Sequence, residues 1–297
     1  MPDQQVINRR ERTAPIQSCY LTKEDLVKLY ARLLEKVHEA ADLQVQNWVK
    51  TEGNSGEFDE QIQQEKATFS LSITIEGENG ETQFGNDESM FLSAHLPERI
   101  LSVFFDSALT FRLSHSNYNP QNRFTVLFDF SKPSLIDIKN PVSSPTPNNS
   151  KVFVSGNNAG WVHSVFQTVM EFVEERECGW IRKRLHGSLT YDLTLWFLVF
   201  PFIFLVIFKI YPFVIKMEMP EVLDAAFYIY IFFFGLIIYR FGYSYTKWVW
   251  SKIHLQHFRD ATLLHRVIWS GMMIGVISTF LYSIIVNFTQ FLSLGTS

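Results

Sequence analysis

The hydrophobic positions of this chain change period along its length, and those changes mark out its elements. From Thr22 to Lys50 the apolar residues Leu26, Leu29, Leu33, Val37, Ala40 (or Ala41), Val45 and Trp48 recur at helical spacing among charged neighbours. That spacing predicts one long amphipathic helix with an apolar stripe that must be covered. Thr22 is a good N-cap residue, and Asp25 three positions on makes a weak capping box. "TEGNSGEFDEQ", residues 51–61, ends the helix with glycine and charge.

The period then becomes two. Phe69, Leu71, Ile73 and Ile75 alternate with Thr68, Ser70, Ser72 and Thr74, which predicts a half-buried strand. Asn79-Gly80 signals a hairpin turn into a second strand near Thr82–Phe84. "RILSVFFDSALTFRL", residues 99–113, is expected to supply one or two more strands, with Leu109, Phe111 and Leu113 on one face. "RFTVLFDF" and "SLIDIK" follow, the first with Phe124, Val126, Phe128 and Phe130 on one side. A proline-rich stretch from Pro141 to Ser150 reads as a loop. "KVFVS" is a last strand, and "GNNAG" turns into a second amphipathic helix with the stripe Val162, Phe166, Val169 and Val173. Helix, antiparallel sheet of about five or six strands, helix: the order predicts an α+β domain over 21–187, behind a polar tail over 1–20.

From residue 188 on, the pattern is that of an all-α membrane domain. Leu193–Ile215 is 23 residues, about 35 Å of helix at roughly 1.5 Å per residue, enough to cross a hydrocarbon core of about 30 Å with some tilt. Lys209 lies near the far end, where it can snorkel to the headgroups, and Pro201 should kink the helix. Further spans are expected near 222–245 and 267–291. Lys247 to Arg266 between them is too polar to span, and reads as an interfacial helix or a folded loop. In the third span Gly271, Gly275, Thr279 and Ser283 fall at four-residue spacing, a stripe of small side chains that lets helices approach closely in lipid. The stripe can pack on the second span or on another copy, and a homo-oligomer is expected.

Charge adds an orientation. Residues 1–187 hold 25 of the 30 acidic and 19 of the 26 basic residues, a formal charge of −6, whereas residues 188–297 carry +2. The first part has no basic surplus, so no nucleic-acid footprint is indicated. Arg182, Lys183 and Arg184 precede the first span, and Lys247, Lys252, Arg259 and Arg266 lie between the second and third. The connection from Lys216 to Asp224 has one lysine against Glu218, Glu221 and Asp224, and nothing basic follows Phe291. By the positive-inside rule the N-terminus is expected in the cytoplasm and the C-terminus outside. Met1–Ser18 lacks the apolar core of a secretory signal.

Candidate chemistry is sparse. "SGNNAG" alone follows a strand and opens a helix, so Ser155, Gly156, Asn157, Asn158 and Gly160 are the expected ligand contacts, through free backbone donors at the helix start. The stretch lacks the residues of a phosphate-binding or dinucleotide loop, and ordinary turn chemistry is the plainer reading. His254 and His257 are three apart, and Asp106, Asp129 and Asp137 fall on or beside strands. Cys19 and Cys178 have no zinc spacing. No motif names a catalytic constellation, a metal or a cofactor. The layout suggests a cytoplasmic domain that binds a partner protein or a small anionic ligand and couples it to the bilayer-embedded spans. An oligomeric pore-forming or membrane-disrupting effector of the defence type is the alternative, and a membrane-bound enzyme the least supported.

Overall fold

The computed structural model of the chain describes residues 9–46, 48, 55–93, 95–135, 142–217, 220–256 and 262–294. Strand β1 (Arg10–Pro15) and strand β2 (Cys19–Leu21) precede helix α1 (Lys23–Val45). Helix α1 buries the expected stripe of Leu26, Leu29, Leu33, Val37, Ala40, Ala41 and Val45. Its capping box is complete: Thr22 Oγ1 accepts from the Asp25 amide at 3.1 Å, and Asp25 Oδ2 accepts from the Thr22 amide at 3.0 Å. Helix α2 (Ser55–Ala67) occupies a stretch that carries little apolar periodicity. It is held from outside, by Lys66 to Asp42 at 2.6 Å and Glu65 to His115 at 3.0 Å.

Strands β3 (Ser72–Gly77) and β4 (Thr82–Gly85) form the expected hairpin, with Gly80 at φ 77° in the turn. Strand β5 (Ile100–Asp106) follows, but Leu109, Phe111 and Leu113 do not continue it. They lie in the short helix α3 (Leu109–Ser114), where Phe111 is buried and Leu113 is exposed. Asp106 makes that switch: Oδ1 accepts from the Ala108 amide at 2.8 Å, and Oδ2 pairs with Arg112 at 2.5 Å. Strand β6 (Arg123–Asp129), strand β7 (Lys151–Gly156) and helix α4 (Ala159–Glu174) complete the α+β domain. "SLIDIK" lies outside the described residues from Ile136, as does Asp137.

The six-stranded sheet is antiparallel throughout, in the order β1-β7-β6-β5-β3-β4. Part of the expected tail therefore forms its edge, since β1 pairs with β7 from Arg10↔Gly156 to Pro15↔Lys151. Five of the six β1 residues are exposed, so backbone pairing holds this strand and no hydrophobic pattern advertises it. One sheet face buries Ile73, Ile75, Val103, Phe105, Phe124, Val126, Phe128, Val152 and Val154 in the core shared with α1 and α4. On the opposite face Arg123, Thr125, Leu127 and Phe153 are only half-buried, and among the described residues no helix joins them to a second core.

Helix α5 (Trp180–Leu185) leads to helix α6 (Ser188–Thr194), a π-turn at Leu195–Val199 and helix α7 (Phe200–Ile215). Pro201 has no amide for the Phe197 carbonyl, and the ladder widens into the π-turn at this point. Helix α8 (Glu221–Val249), strand β8 (Ile253–Leu255) and helix α9 (Thr262–Leu294) follow. Three helical segments, Ser188–Ile215, Glu221–Val249 and Leu263–Val286, are long and apolar enough to cross a membrane.

Of the two expectations for the connection between the second and third spans, the described residues follow the folded segment and not the interfacial helix. Helix α8 runs on through Lys247 to Val249, the chain turns, and β8 pairs in parallel with β2: Cys19↔Ile253, Tyr20↔His254, Leu21↔Leu255. All three β8 residues are buried, and Ile253 and Leu255 join the core of the α+β domain. Three residues are too few to reveal a period of two, and their partner lies more than 230 positions away. His257 and Arg259 lie outside the described residues.

Candidate functional site

A set of buried polar contacts lies where the α+β domain meets the long apolar helices, and it is organised around the C-terminal half of α8. Tyr239, Tyr243 and Lys247 recur every four residues and so share one face of that helix. Tyr239 Oη donates to the Tyr191 carbonyl at 2.8 Å and also meets the Thr194 hydroxyl. Tyr243 Oη donates to the Leu185 carbonyl at 2.9 Å. Lys247 is buried, and its Nζ donates to the carbonyls of Val142 and Ser144 at 2.8 and 2.9 Å. Ser244 Oγ reaches the Leu135 carbonyl at 2.7 Å. A different side of the helix engages α9: Tyr245 Oη lies 2.6 Å from His265 Nδ1, and Trp269 Nε1 donates to Thr246 Oγ1 at 2.9 Å. One helix thus touches the entry to the first span, the loop before β7 and the start of the third span.

His186 closes the arrangement just before the first span. It is 2 % exposed, and the Trp250 carbonyl lies 2.7 Å from Nε2. A carbonyl only accepts, so Nε2 carries the proton and Nδ1 accepts from the Thr146 hydroxyl at 2.9 Å. Burial pulls the His186 pKa down to about 4, against the raising effect of the Trp250 carbonyl, and the nearby cations Lys247, Lys252 and Arg182 add to the fall. The imidazole is therefore neutral near pH 7 and serves as a two-ended clasp. Burial likewise lowers the Lys252 pKa.

Strand β2 links this junction to the helices of the domain. The Tyr20 amide donates to the Arg176 carbonyl at 3.0 Å, and the Gln256 amide donates to the Leu21 carbonyl at 2.8 Å. Arg176 Nε pairs with Asp25 at 2.8 Å, joining the end of α4 to the start of α1. Burial raises the Asp25 pKa, but the hydrogen bonds from Arg176 and Thr22 outweigh it and hold the carboxyl below its ordinary value. His254 is buried, 5.3 Å between ring centroids from Tyr20, and the Arg266 guanidinium lies 3.3 Å from its ring nitrogens. A cleft of about 360 Å³ opens beside this strand pair, lined among others by Arg99, Lys132, Trp248, Ser251 and His254.

The residues singled out in the sequence are distributed as follows. Ser155 is fully buried, accepting from Arg9 at 2.7 Å and donating to Glu11 at 3.1 Å. The amides of Asn157 and Asn158 both donate to Asn122 Oδ1, at 3.1 and 3.3 Å, and Asn158 Oδ1 caps the Trp161 amide at 3.0 Å. Asn122 packs so close to Gly156 that a Cβ there would collide with it. The amide donors of Asn157 and Asn158 are thus taken by Asn122, and that of the following Trp161 by the Asn158 cap; Gly160 stands in the first turn of α4. Asp106 and Asp129 sit at opposite ends of the β5–β6 ladder, paired with Thr125 and Ser102, and do not converge. Of the basic residues before the first span, Lys183 pairs with Glu177 at 2.6 Å, Arg184 lies over the Trp180 ring at 4.1 Å, and Arg182 donates to Cys178 Sγ at 3.2 Å. Cys19 and Cys178 are free and buried, and burial pushes the Cys19 thiol up. Gly271 and Gly275 face open space, so the small-residue stripe does not pack on the second span at these positions. Among the described residues no three His, Cys, Asp or Glu side chains gather as a metal site.

Comparison with protein-family models, with curated proteins and with solved structures finds no match to this chain.

The sequence reading missed His186, Thr146, Tyr243 and Tyr20. A histidine preceding an apolar run (His186) and tyrosines spaced by four in a span (Tyr239 and Tyr243) are the only marks the sequence carries of this site, and Thr146 and Tyr20 leave none. Neither identifies its partner, because every partner is a backbone carbonyl or a side chain from a distant segment.

Proposed function

We propose that this is an integral membrane protein whose soluble domain binds a partner protein or a small anionic ligand and couples that event to its three spans. The bias of Lys and Arg beside the spans supports a cytoplasmic location for the domain. One observation carries the reading: β8, from the connection between the second and third spans, pairs with β2 and is buried in the soluble domain. A tether needs one span and a linker. In this reading the chain leaves the domain at His186, crosses the bilayer twice, returns to the domain at Ile253, and crosses again, a path the element order and the three long apolar helices support. A shift of β2 against α4 would move β8 and, through it, the third span.

Hydrogen exchange on the full chain in lipid nanodiscs tests this, using Ile253→Pro to break the β2–β8 pairing. Loss of protection together at Tyr20, Leu21 and the first turns of α9, with β5 and β6 still protected, supports coupling. Unchanged exchange in α9 rejects it, since the third span would then be indifferent to the strand pair.

A second reading, the oligomeric pore-forming or membrane-disrupting effector, draws on a different observation. The most apolar windows of the three spans are 6 %, 0 % and 0 % buried within the chain, leaving much surface for other copies as well as for lipid. Ion flux from liposomes containing the full chain is the property that separates an effector from a receiver without a conducting output.

A further inference from the structure

The open face of the sheet carries a basic cleft that the junction does not use. Strands β1, β7, β6 and β5 place Thr13, Phe153, Thr125 and Asp106 in adjoining registers, and α3 adds Arg112. Together with Arg123 and Lys151 they line a cleft of about 370 Å³, within the size range of small-molecule sites. The charges do not balance. Asp106 is already paired with Arg112, and Arg9 beside the cleft with Glu11 at 3.4 Å. Arg123 and Lys151 have no ion pair among the described residues.

The two arginines also carry unspent hydrogen-bonding capacity. Nε of Arg112 and Nε of Arg123 are both buried without a hydrogen-bond partner. A buried donor left unpaired is costly, and both belong to side chains that line the cleft, so an acceptor drawn between these arginines would offset that cost. Burial pulls the Arg123 pKa down, and the neighbouring Arg9 and Arg112 add to the fall, so an anion entering here would relieve a repulsion. The hydroxyls of Thr13 and Thr125 and the ring of Phe153, 5.9 Å from the Arg123 guanidinium, complete a wall that is part polar and part apolar.

We infer that this cleft binds the phosphate group of a small soluble molecule, held by Arg123, Lys151 and the free edge of Arg112. Guanidinium groups present planar forks matched to phosphate oxygens, and a dianion matches the two cations left unpaired. A lipid headgroup is the other source of the same chemistry, and the fold argues against it. Strand β5 begins at Ile100, in the junction cleft with Trp248, and ends at Asp106, in the basic cleft. Six steps at roughly 3.3 Å put about 20 Å between those ends. The assignment deepens the reading above by naming the ligand class of the soluble domain. It rests on that reading only for what happens in the spans, because binding is measured separately from coupling.

The test is calorimetric titration of inorganic pyrophosphate into the full chain in nanodiscs of zwitterionic lipid. Wild type should bind, more weakly as salt rises. Arg123→Gln and Lys151→Gln should each raise Kd about tenfold or more, as expected for loss of one charge-assisted hydrogen bond, while Lys28→Gln on the exposed side of α1 leaves it unchanged. Without pyrophosphate, Arg123→Gln should melt no lower than wild type, since it removes an unpaired cation; this separates lost binding from lost folding. Failure of the wild type to bind, or equal binding by wild type and both cleft variants, overturns the assignment. Displacement of pyrophosphate by phosphatidic-acid vesicles would overturn its soluble source. The exchange experiment at Ile253 is unaffected by any of these results.

Discussion

At the scale of single residues, the junction relies on polar groups that are buried yet satisfied by backbone carbonyls. His186 is the one most open to test, because protonation destroys its pattern: Nδ1 must accept from Thr146 while Nε2 donates to Trp250. Its folded pKa of about 4 lies below the ordinary 6.5. Between those values the unfolded chain binds more protons than the folded one, so stability rises with pH across the window and is fully present above it. Acidification from pH 7 to pH 4 should therefore cost the junction up to about 3 kcal/mol from this group. Lys247, Lys252 and Arg182 face the same ring and deepen the penalty of charging it. His186→Gln keeps a donor and an acceptor but cannot titrate, so its thermal midpoint should fall less between pH 7 and pH 5 than that of wild type. Equal slopes would mean that other groups set the acid sensitivity.

At the scale of elements, what the sequence revealed depended on how each element is held. Helices α1 and α4 and strands β3, β6 and β7 declared themselves because burial on one face imprints a period. Strand β1 has little buried surface and β8 is three residues long, so neither leaves such a mark. Helix α3 read as strand because Leu109, Phe111 and Leu113 alternate, and the Asp106 side chain, not hydrophobicity, decided the turn. The candidate site shows the same division. "SGNNAG" was legible as a turn and cap, but Asn122, which takes two of its amides, lies 35 residues from Asn157. In α9 the stripe was legible and its partner was not. Since nothing lies within 4 Å of a Cβ built on Gly275, Gly275→Leu disturbs no contact at that position within the chain. We propose that the stripe meets another copy; the substitution should then reduce particle size in nanodisc-free detergent while leaving the melting of the soluble domain unchanged. An unaltered size would assign the stripe to lipid.

At the scale of the whole molecule, the β2–β8 pairing constrains topology independently of charge. It requires Gln256, exposed and bonded through its amide to the Leu21 carbonyl, to lie on the same side of the membrane as the soluble domain. The charge bias is the separate argument for the proposal that this side is the cytoplasm. Single cysteines at Lys28, Gln256 and Ser297 separate the two arguments, and the native thiols Cys19 and Cys178 are buried and should react little. With an impermeant maleimide on intact cells, Ser297→Cys should label, whereas Lys28→Cys and Gln256→Cys should label only after permeabilisation. If all three responses invert, the strand pairing stands and the charge-based orientation is wrong. If Lys28→Cys and Gln256→Cys differ from each other, the two strands are on opposite sides of the bilayer, and the coupling of the domain to the third span falls with them. If Ser297→Cys follows the other two, one of the three apolar helices does not cross.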